Sequence, residues 1–323
     1  MTRPLLWPLV PLYRLGLALR ERKFQPGSAS IRRLRWPVVS IGNLSTGGSG
    51  KTPLTIALAR ALAARGVYVD VLSRGYARRS ALPLLVEPGG TAENFGDEPL
   101  EIARAAQVPV YVAAERYQAG VLAERAEAHG IHLLDDGFQH RRLHRDIDIL
   151  LLSRRDFNDH LLPAGNLREA LPAAERASII AIPADEPELE AEIKSRGWQS
   201  AIWRLHRRIA IPSLDGPVAA FCGIARPEQF FAGLELAGVR LAARFAFRDH
   251  HRYTSSDLAR IEREARKAGA ILRLTTEKDR VRLGALAHSL PSALPLQTVQ
   301  LRVEIENEAA AIDWLIDHVR GPR

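Results

Sequence analysis

The alternation of apolar and polar positions predicts strands separated by helices up to about residue 182. Short apolar runs predict buried strands at 37–41, 67–72, 108–112, 131–134, 147–152 and 179–182. Apolar residues recur at helical spacing over 52–64, 99–106 and 116–129. Strands that alternate with helices predict an α/β fold, with a mainly parallel sheet covered by helices on both faces.

The pattern changes near residue 200. Residues 201–211 alternate apolar and polar side chains, as a half-exposed strand does, and residues 212–217 contain the prolines and glycine of a turn. A smaller α/β pattern follows, with strands predicted at 218–222, 239–247, 271–274 and 299–305 and helices at 229–236 and 256–268. We therefore predict a larger domain over residues 1–205 and a smaller α/β domain over residues 206–323.

Composition narrows the class of protein. Of the 323 residues, 46% are hydrophobic and 25% are charged, which is typical of a globular chain with a sizeable core. A single cysteine, Cys222, excludes an internal disulfide and a cysteine-based zinc cluster. The net charge of +8 suits an anionic lipid, a phosphorylated substrate or nucleic acid. Because no zinc finger and no aromatic RNA-binding motif accompanies this charge, we predict no nucleic-acid partner. No obligate protein partner is predicted either.

The N-terminal segment, residues 1–24, is apolar and aromatic at first and basic towards its end. It contains no run of about 18 apolar residues, so a conventional transmembrane helix is not predicted. Between Arg14 and Arg35 there are seven Arg or Lys residues and one acid, Glu21. Two interpretations stay open on this evidence. The segment is either amphipathic and lies in a membrane interface, or it is a helix packed on the domain with a solvated basic face.

Residues 45–52 read S-T-G-G-S-G-K-T and end as a nucleotide-binding P-loop does. In such a loop, backbone N–H groups converge on phosphate oxygens at the start of a helix, a lysine meets the terminal phosphates and a hydroxyl binds Mg²⁺. The predicted strand before the loop and the predicted helix after it supply this context, although Ser45 stands where the common pattern has glycine. We predict that ATP binding uses Ser45, Thr46, Gly47, Gly48, Ser49, Gly50, Lys51 and Thr52.

A P-loop does not select a reaction. Dedicated GTPases normally read guanine with N-K-x-D, and no asparagine of this chain is followed by lysine. Partitioning and metal-chaperone ATPases often carry a second lysine near the start of the loop, where this chain has Thr46. A kinase is therefore the simplest interpretation. The alternative is a soluble P-loop ATPase or kinase that acts on another small molecule.

Three further stretches carry candidate chemistry. Asp135 and Asp136 directly follow an apolar strand, where P-loop enzymes hold Mg²⁺, although capping or turn aspartates occur there too. Asp97 opens a predicted helix, which on its own is more typical of an N-cap than of a catalytic group. His250 and His251 follow a predicted strand, and on their own they are more typical of a solvated loop than of an acid/base site.

Together these motifs resemble those of the tetraacyldisaccharide 4′-kinases, the lipid A 4′-kinases of Gram-negative bacteria. The resemblance spans most of the chain and keeps the motifs in order. Since that family typically carries a small hydroxyl residue at the first loop position, the resemblance also accounts for Ser45. The matching stretches are G-N-L-S-T-G-G-S-G-K-T (42–52), S-R-G-Y-A-R (73–78), G-D-E-P (96–99), D-D-G-F-Q-H-R-R-L-H-R-D (135–146), L-L-P-A-G-N-L-R-E (161–169), G-I-A-R-P-E-Q-F-F (223–231), F-R-D-H-H-R-Y-T (247–254) and T-T-E-K-D (275–279).

The resemblance implies that the ATP γ-phosphate is transferred, with Mg²⁺, to the 4′-hydroxyl of tetraacyldisaccharide 1-phosphate, which forms lipid IVA. It implies that Asp97 is the base, that His250 partners it as the smaller domain closes the cleft, and that Lys51 faces the transferring phosphate. The implied magnesium residues are Thr52, Asp135 and Asp136. The implied substrate-binding residues are Tyr76, Gln139, Asn166, Arg168 and Glu169.

The family's lipid substrate also bears on location. Because its four acyl chains stay in the bilayer, the resemblance implies a peripheral protein at the cytoplasmic face of the inner membrane, held by residues 1–24. The chain departs from the family at four positions. Glu101 and Arg280 stand where an apolar and a small residue are usual, and Asn166 and Ala170 stand where proline is frequent. None of these changes removes an implied catalytic group, but Asn166 bears on the shape of the substrate loop.

Overall fold

The computed structural model describes residues 3–25, 27–126, 129–211, 214–289 and 294–319 as strands, helices and their connections. The strands are β1 (Val38–Asn43), β2 (Val69–Ser73), β3 (Leu84–Leu85), β4 (Val110–Val112), β5 (Ile131–Asp135), β6 (Ile147–Leu151), β7 (Ile179–Pro183), β8 (Ala201–Ala210), β9 (Val218–Cys222), β10 (Leu241–Ala246), β11 (Leu272–Thr276) and β12 (Leu296–Ile305). The α-helices are α1 (Val10–Lys23), α2 (Lys51–Ala64), α3 (Ala92–Phe95), α4 (Asp97–Ala106), α5 (Arg116–Ala123), α6 (Arg154–Phe157), α7 (Glu188–Ser195), α8 (Pro227–Leu236), α9 (Ser255–Lys267), α10 (Glu277–Leu283), α11 (Leu286–Ser289) and α12 (Glu308–Val319). Short 3₁₀ helices occupy Pro4–Leu9 and Leu171–Arg176.

The strands of the described residues form one sheet in the order β10-β9-β11-β12-β8-β7-β6-β1-β5-β2-β4-β3. Neighbouring strands are parallel except at the pairs β3–β4 and β8–β12. Strand β1 lies between β5 and β6 in the interior of the sheet. The loop that leaves its carboxyl end therefore lies where open α/β sheets bind their ligands. The predicted α/β class with a mainly parallel sheet is confirmed.

Strand β12 joins the two parts of the sheet. Its first four residues pair in parallel with β11, and its last six pair antiparallel with β8. Helix α12 then packs Ile312 and Leu315 into the core that also contains Ile41 and Leu54. Residues up to 205 are called the first part of the chain, and residues after 205 the second part. This division stays a prediction, but the contacts of α12 place the last described residues against the first part of the chain.

Packed elements hold the P-loop at both of its ends. Strand β1, which precedes the loop, is buried along its whole length. After the loop, α2 places Leu54, Leu58 and Leu62 on one helix face, and all three are fully buried. Each contributes about 2 kcal/mol through its burial. The conformation of the loop is therefore set by the few residues between these two elements.

Helix α5 ends earlier than the predicted 116–129. It stops at Ala123, and the next residue, Glu124, turns its carboxylate into the protein. There Glu124 accepts hydrogen bonds from the backbone N–H groups of Arg35 and Trp36, at 2.5 and 2.9 Å. The predicted helix was too long because apolar residues continue at helical spacing after Ala123, whereas the buried hydrogen bonds of Glu124 end the helix there. Residues 1, 2, 127 and 128, and Pro212 and Ser213 of the predicted turn, lie outside the described residues.

Helix α1 lies against the first part of the chain by one side. Tyr13 and Leu17 pack there beside a buried cluster. Leu12, Leu15 and Leu19 are 69%, 57% and 58% exposed. Within the described residues, no helix combines the length and the apolar character that a bilayer crossing needs.

Candidate functional site

The backbone of the P-loop turns through two glycines in the left-handed region. Gly47 has φ +98° and Gly50 has φ +93°, angles that glycine adopts without a steric penalty. Gly50 is the N-cap of α2 and has no side chain with which to satisfy the first N–H groups of that helix. The Oγ atom of Ser49 is buried and has no hydrogen-bond partner among the described residues. The loop therefore presents unsatisfied donors at a helix start, as an anion site does.

A second segment, residues 159–169, holds the start of the loop. The backbone N–H of Thr46 donates to the carbonyl oxygen of Asn166 at 2.8 Å. Ser45 forms an isolated β-bridge with the same segment, and its side chain is buried. A small residue fits here, since the Ser45 Oγ atom lies 3.4 Å from the amide nitrogen of Asn43. The predicted phosphate loop and the predicted substrate loop are therefore in direct contact.

Lys51 points back towards the end of β1. Its Nζ atom donates to Asn43 Oδ1 at 3.0 Å and lies 3.6 Å from Asp136 Oδ1. The ammonium is therefore held between a neutral oxygen and a carboxylate. Thr52, the hydroxyl residue of the motif, follows in the first turn of α2. P-loop enzymes use these two positions for the terminal phosphates and for Mg²⁺.

Asp135 is a buried carboxylate at the carboxyl end of β5. Its Oδ1 atom accepts a long hydrogen bond of 3.4 Å from Thr55 Oγ1. The pKa of Asp135 is raised to about 7, chiefly by its removal from water and also by the negative charges of Glu98 and Asp136. Lys51 opposes this rise. A buried carboxylate with so little compensation suits a cation site.

Asp136, the next residue, has the opposite electrostatic character. Burial alone would raise its pKa, but Lys51 and the hydrogen-bonded Arg168 outweigh this effect and lower the pKa to about 2. Arg168 donates through Nη1 to Oδ2 at 3.0 Å and through Nη2 to Oδ1 at 2.9 Å. Asp136 therefore stays ionised at neutral pH through contacts with the protein's own cations.

Gln139 and Arg168 flank the end of β1. Both donate to the carbonyl oxygen of Asn43, at 3.0 and 3.1 Å. The backbone oxygen of Gln139 in turn accepts a hydrogen bond from Arg20 of α1. Two of the predicted substrate residues therefore lie beside the P-loop, and one of them is tied to the N-terminal helix.

The side chains of Asn166 and Glu169 are both engaged by other side chains of the protein. The Asn166 amide donates to Asp159 at 2.8 Å, and the buried Glu169 pairs with Arg176 at 2.6 Å. The Oε1 atom of Glu169 is buried without a hydrogen-bond partner among the described residues. Asn166 therefore faces the phosphate loop with its backbone carbonyl group, while its side chain shapes the segment.

Asp97 and His250 meet where the two parts of the chain adjoin. Asp97 is the first residue of α4, and His250 lies in the loop after β10. His250 Nδ1 lies 3.0 Å from Asp97 Oδ2. Tyr76 is 58% exposed, and its ring centroid lies 5.6 Å from that of His250. The structure thus brings these three predicted site residues together, while their roles stay predictions.

A close backbone approach sets the position of Asp97. Gly96, the residue before it, has φ +90°. A Cβ atom at Gly96 would lie 3.0 Å from the Cα atom of Gly75, which is closer than ordinary packing allows. The stretches S-R-G-Y and G-D-E-P therefore pack backbone against backbone, which explains the glycine in each of them.

Two cations beside Asp97 were absent from the sequence-based site. Both lie on α10, where Arg282 Nε donates to Asp97 Oδ2 at 2.8 Å and Lys278 Nζ donates to Glu98 Oε1 at 2.7 Å. Burial alone would raise the pKa of Asp97. The hydrogen bond with His250 and the charges of Lys278 and Arg282 outweigh burial and hold this pKa well below its usual range.

Arg116 is a third cation that sequence reasoning missed. It is the first residue of α5, is buried, and its Nε atom has no hydrogen-bond partner among the described residues. Burial and the nearby Arg74 lower its pKa to about 10, while Asp136 and Asp135 act in the opposite direction. A buried guanidinium that faces the site and keeps a donor unused suits a phosphate oxygen. A lone arginine at a helix start carries no motif that would have revealed it.

The second part of the chain also reaches the P-loop. Arg207 Nη2 donates to the carbonyl oxygen of Ser49 at 2.7 Å. The Cβ atom of Ala225 lies 3.7 Å from the position that a side chain at Gly47 would take. A cavity of about 410 Å³ opens beside these contacts, and its lining includes Ser49, Arg207, Ser153, Asp185 and Arg226.

Known proteins are similar to this chain over most of its length. The family model described as tetraacyldisaccharide-1-P 4′-kinase matches residues 2–320. The tetraacyldisaccharide 4′-kinase of Koribacter versatilis is 44% identical over 319 residues, which cover 96% of this chain and 97% of that protein. The tetraacyldisaccharide 4′-kinase of Syntrophus aciditrophicus is 37% identical, with coverage of 90% and 87%.

A solved structure is similar to both parts of the chain. It is the crystal structure of "apo" form LpxK from Aquifex aeolicus in complex with ATP. The TM-score is 0.76 at 30% identity, and the match covers 97% of this chain and 98% of that one.

Proposed function

The chain belongs to the tetraacyldisaccharide-1-P 4′-kinase family, and from this premise we propose that it transfers the γ-phosphate of ATP to the 4′-hydroxyl of tetraacyldisaccharide 1-phosphate. The product is lipid IVA. Such a kinase needs a phosphate cradle and a proton acceptor in one cleft. At the level of residues, the observation that carries the proposal is the 3.0 Å contact between Asp97 and His250. This contact joins a carboxylate of the first part of the chain, which contains the P-loop, to an imidazole of the second part.

We assign the phosphate cradle to residues 45–52, with Lys51 facing the transferring phosphate. The unsatisfied donors at the start of α2 support this role. Arg116 offers a second cation from the side of the carboxylates. We assign the nucleoside to the cavity of about 410 Å³ beside Ser49, which lies towards β6 and β7. Asp135 lies on the opposite side of β1, at the end of β5, so the nucleoside and the reacting phosphate point in different directions.

The oxygen donors near the end of β5 fit Mg²⁺, which takes oxygen ligands. Thr52 offers a hydroxyl, Asp135 offers a carboxylate with one weak hydrogen bond, and Asp136 offers a carboxylate that is already ionised. We propose that Thr52 and Asp135 hold the ion, with Asp136 beside them. When bound, Mg²⁺ would neutralise charge on the phosphates. Asp136 meanwhile keeps Lys51 and Arg168 in place.

Asp97 is proposed to accept the proton of the 4′-hydroxyl. Its neighbouring cations keep it ionised at neutral pH, so it can accept a hydrogen bond from the hydroxyl. The same cations make it a weak base. His250 contacts the carboxylate and offers a second place for the proton. The bond between the γ-phosphorus and the oxygen that bridges it to the β-phosphate breaks as the new P–O bond to the 4′-oxygen forms, so ADP is the leaving group. The hydroxyl proton passes to the Asp97–His250 pair.

We further propose that α1 holds the protein at the cytoplasmic face of the inner membrane as a peripheral protein. Three exposed leucines on this helix, Leu12, Leu15 and Leu19, would enter the apolar edge of the bilayer. Arg14 and Arg22, which are exposed on the same helix, would meet anionic headgroups. Burial and charge attraction would then act together.

The N-terminal helix is also fastened to the substrate side of the site. The hydroxyl of Tyr13 donates to the carbonyl oxygen of Arg168 at 2.8 Å. A groove of about 870 Å³ lies between α1 and residues 161–176, and Arg14, Arg141 and Arg176 line it. We propose that the sugar and phosphate groups of the lipid approach along this side while the acyl chains stay in the bilayer.

A single assay tests the proposed function. Purified full-length protein is incubated with radiolabelled ATP and tetraacyldisaccharide 1-phosphate in detergent micelles, and a bis-phosphorylated lipid is sought by chromatography. Label should pass to the lipid in the wild type and not in Lys51→Ala. If ATP is consumed and the lipid gains no label, the alternative of a P-loop enzyme for another small molecule is favoured.

A further inference from the structure

We propose that Arg282 is a positioning residue that fixes Asp97 and His250 relative to each other. The proposal rests on the proposed function, in which these two residues share the proton of the substrate. Arg282 lies on α10, which packs against α4, the helix that begins with Asp97. Its side chain is 6% exposed, so the guanidinium is enclosed where the two parts of the chain meet.

Arg282 contacts the same oxygen of Asp97 that faces His250. The Nε atom of Arg282 donates to Asp97 Oδ2 at 2.8 Å, and Nη2 lies 2.7 Å from that oxygen. Nη2 is also 3.1 Å from His250 Nδ1. The other oxygen, Oδ1, accepts a hydrogen bond of 3.0 Å from the backbone N–H of Glu98. Because Oδ2 is surrounded by three nitrogen atoms, Oδ1 is the oxygen that can receive the hydroxyl proton.

The far side of the guanidinium is anchored in the second part of the chain. Nη1 of Arg282 donates to Asp279 Oδ1 at 3.1 Å and to the carbonyl oxygen of Gly223. Asp279 is fully buried, and its Oδ2 accepts from Thr276 Oγ1 at 2.7 Å and from the backbone N–H of Gly223 at 3.1 Å. Arg282 moves only if these contacts break. The position of Asp97 is therefore tied to the second part through one planar group.

Other charged groups also face Asp97 and His250. Among the described residues, Arg282 is the side chain that hydrogen-bonds to both of them. Against the effect of burial, Lys278 helps to lower the pKa of Asp97 through its charge. Asp249 lies 3.9 Å from His250 Nε2 and 3.7 Å from Arg282 Nη2. It therefore faces the outer side of the imidazole.

The arrangement serves the pair in either protonation state. When His250 Nδ1 carries a proton, it donates to Asp97 Oδ2; when it does not, it accepts from Arg282 Nη2. The rigid fork of a guanidinium can hold Asp97, His250 and Asp279 at the same time. A lysine ammonium is a single point charge and cannot span all three.

The test compares Arg282→Gln and Arg282→Lys with Arg263→Gln, a matched control on α9 where the side chain is 61% exposed. With tetraacyldisaccharide 1-phosphate in detergent micelles, Arg282→Gln should lower kcat by roughly 10²-fold, the loss that a misplaced group produces. The KM for ATP should change little. Since the lost positive charge raises the pKa of Asp97, the acid limb of the kcat profile should move to higher pH. Arg282→Lys should recover part of kcat, and Arg263→Gln should behave as the wild type.

Adding Arg282→Gln to His250→Ala should cost little beyond His250→Ala itself, because residues that act as one unit are non-additive. Fully additive losses, or a lower kcat with an unshifted pH profile, would show a merely structural role and overturn the proposal. A near-normal kcat in Arg282→Gln would also overturn it. If Arg282→Gln does not fold, Arg282→Lys decides the question by the same criteria.

Failure of the proposed function has a different signature, because the wild type itself would then leave the lipid unlabelled. In that case, the ¹⁵N NMR signals of the His250 ring are compared between the wild type and Arg282→Lys without substrate. Changed ring signals support the assignment of Arg282 as the residue that orients His250. Unchanged signals overturn it.

Discussion

Arg168 holds both carboxylate oxygens of Asp136, with Nη1 3.0 Å from Oδ2 and Nη2 2.9 Å from Oδ1. The preceding residue, Asp135, has a long contact of 3.4 Å with Thr55. Two consecutive aspartates therefore differ in their partners and in their pKa, which is about 2 for Asp136 and about 7 for Asp135. We expect Asp136 to order the cations of the site and Asp135 to receive the metal.

Asp135→Ala should raise the Mg²⁺ concentration needed for half-maximal activity by roughly tenfold or more, since even an outer partner of a metal ligand is worth that much. Asp136→Ala should instead raise the KM for the lipid, because Arg168 loses its partner. Activity measured over a range of Mg²⁺ concentrations separates the two effects, with the exposed Asp317→Ala as the control. Equal magnesium dependence in Asp135→Ala and the wild type contradicts the metal role.

Lys51→Ala should reduce kcat/KM by roughly a hundredfold or more, the size of one deleted transition-state contact. The substitution removes the cation that lies between Asn43 and Asp136. Transfer of label from radiolabelled ATP measures the effect, and Lys194→Ala, which removes an exposed lysine of α7, is the control. Near-normal turnover in Lys51→Ala would contradict the assignment of residues 45–52 as the phosphate-binding loop.

Asp97→Ala and His250→Ala should each lower kcat by roughly 10²–10⁴-fold, the usual range for general acid/base groups. The double variant should be little worse than the worse single one, because the contact of 3.0 Å makes the two residues one unit. Single-turnover and steady-state kinetics of all three variants give the comparison. Additive losses speak against the pair, and a near-normal Asp97→Ala enzyme speaks against the base.

Replacing Leu12, Leu15 and Leu19 with Gln in one variant should weaken binding to anionic vesicles by roughly tenfold or more. Each leucine contributes about 2 kcal/mol when its side chain is fully buried. Co-sedimentation with vesicles measures the binding, and Leu236→Gln on α8, where the leucine is 90% exposed, is the control. High salt should release the wild type only in part, because it screens the charges and leaves apolar burial intact. If the wild-type protein does not co-sediment with anionic vesicles, the proposed membrane binding by α1 is wrong.

Glu101 gives a prediction about pH that is specific to this chain. Its pKa is raised to about 8, chiefly by removal from water, while Lys278 acts in the opposite direction. An unfolded glutamate has a pKa of about 4.3. The folded state therefore binds more protons between these two values, and the free energy of unfolding falls as the pH rises through this window.

Glu101→Leu should accordingly stabilise the protein at pH 9 by on the order of 1 kcal/mol, the scale of one unsatisfied polar group. At pH 5 the gain should be smaller, since the carboxyl is then neutral in the folded state. Denaturant unfolding at both pH values measures the difference, with the exposed Glu175→Leu as the control. The same gain at pH 5 and pH 9 would show that apolar packing, and not titration, is responsible.

The P-loop and the two aspartates after β5 could be predicted because their context is local. A buried strand, a glycine-rich turn and an apolar helix face follow one another between Val38 and Ala64. Apolar spacing alone reveals such elements, since their packing partners are sheet neighbours. The same apolar spacing predicted too late an end for α5, because it does not reveal that the buried carboxylate of Glu124 hydrogen-bonds to the backbone and ends the helix.

The long-range contacts needed more than spacing. The meeting of Asp97 and His250 was expected from the family resemblance, and no periodicity indicates it. Arg282 was missed because its contacts depend on how α10 packs against α4. One local signal was available: Thr276 caps α10 by accepting from the backbone N–H of Asp279 at 3.1 Å, which is the pattern of a helix start. That signal predicts the helix, but it does not predict which carboxylate the arginine two turns later contacts.

Strand β12 has a mechanical consequence. Because it bonds to β11 along its first residues and to β8 along the rest, the two parts of the molecule share one stiff backbone element instead of a loop. A rotation that changes the distance between Asp97 and His250 must then alter the twist of the sheet itself. We expect the two parts to resist rotation relative to each other, because such a rotation twists the strand that they share. Any rotation that opened the cleft to admit a lipid would therefore strain the hydrogen bonds of β12 to β8 and β11, and release of this strain would favour the return of carboxylate and imidazole to each other.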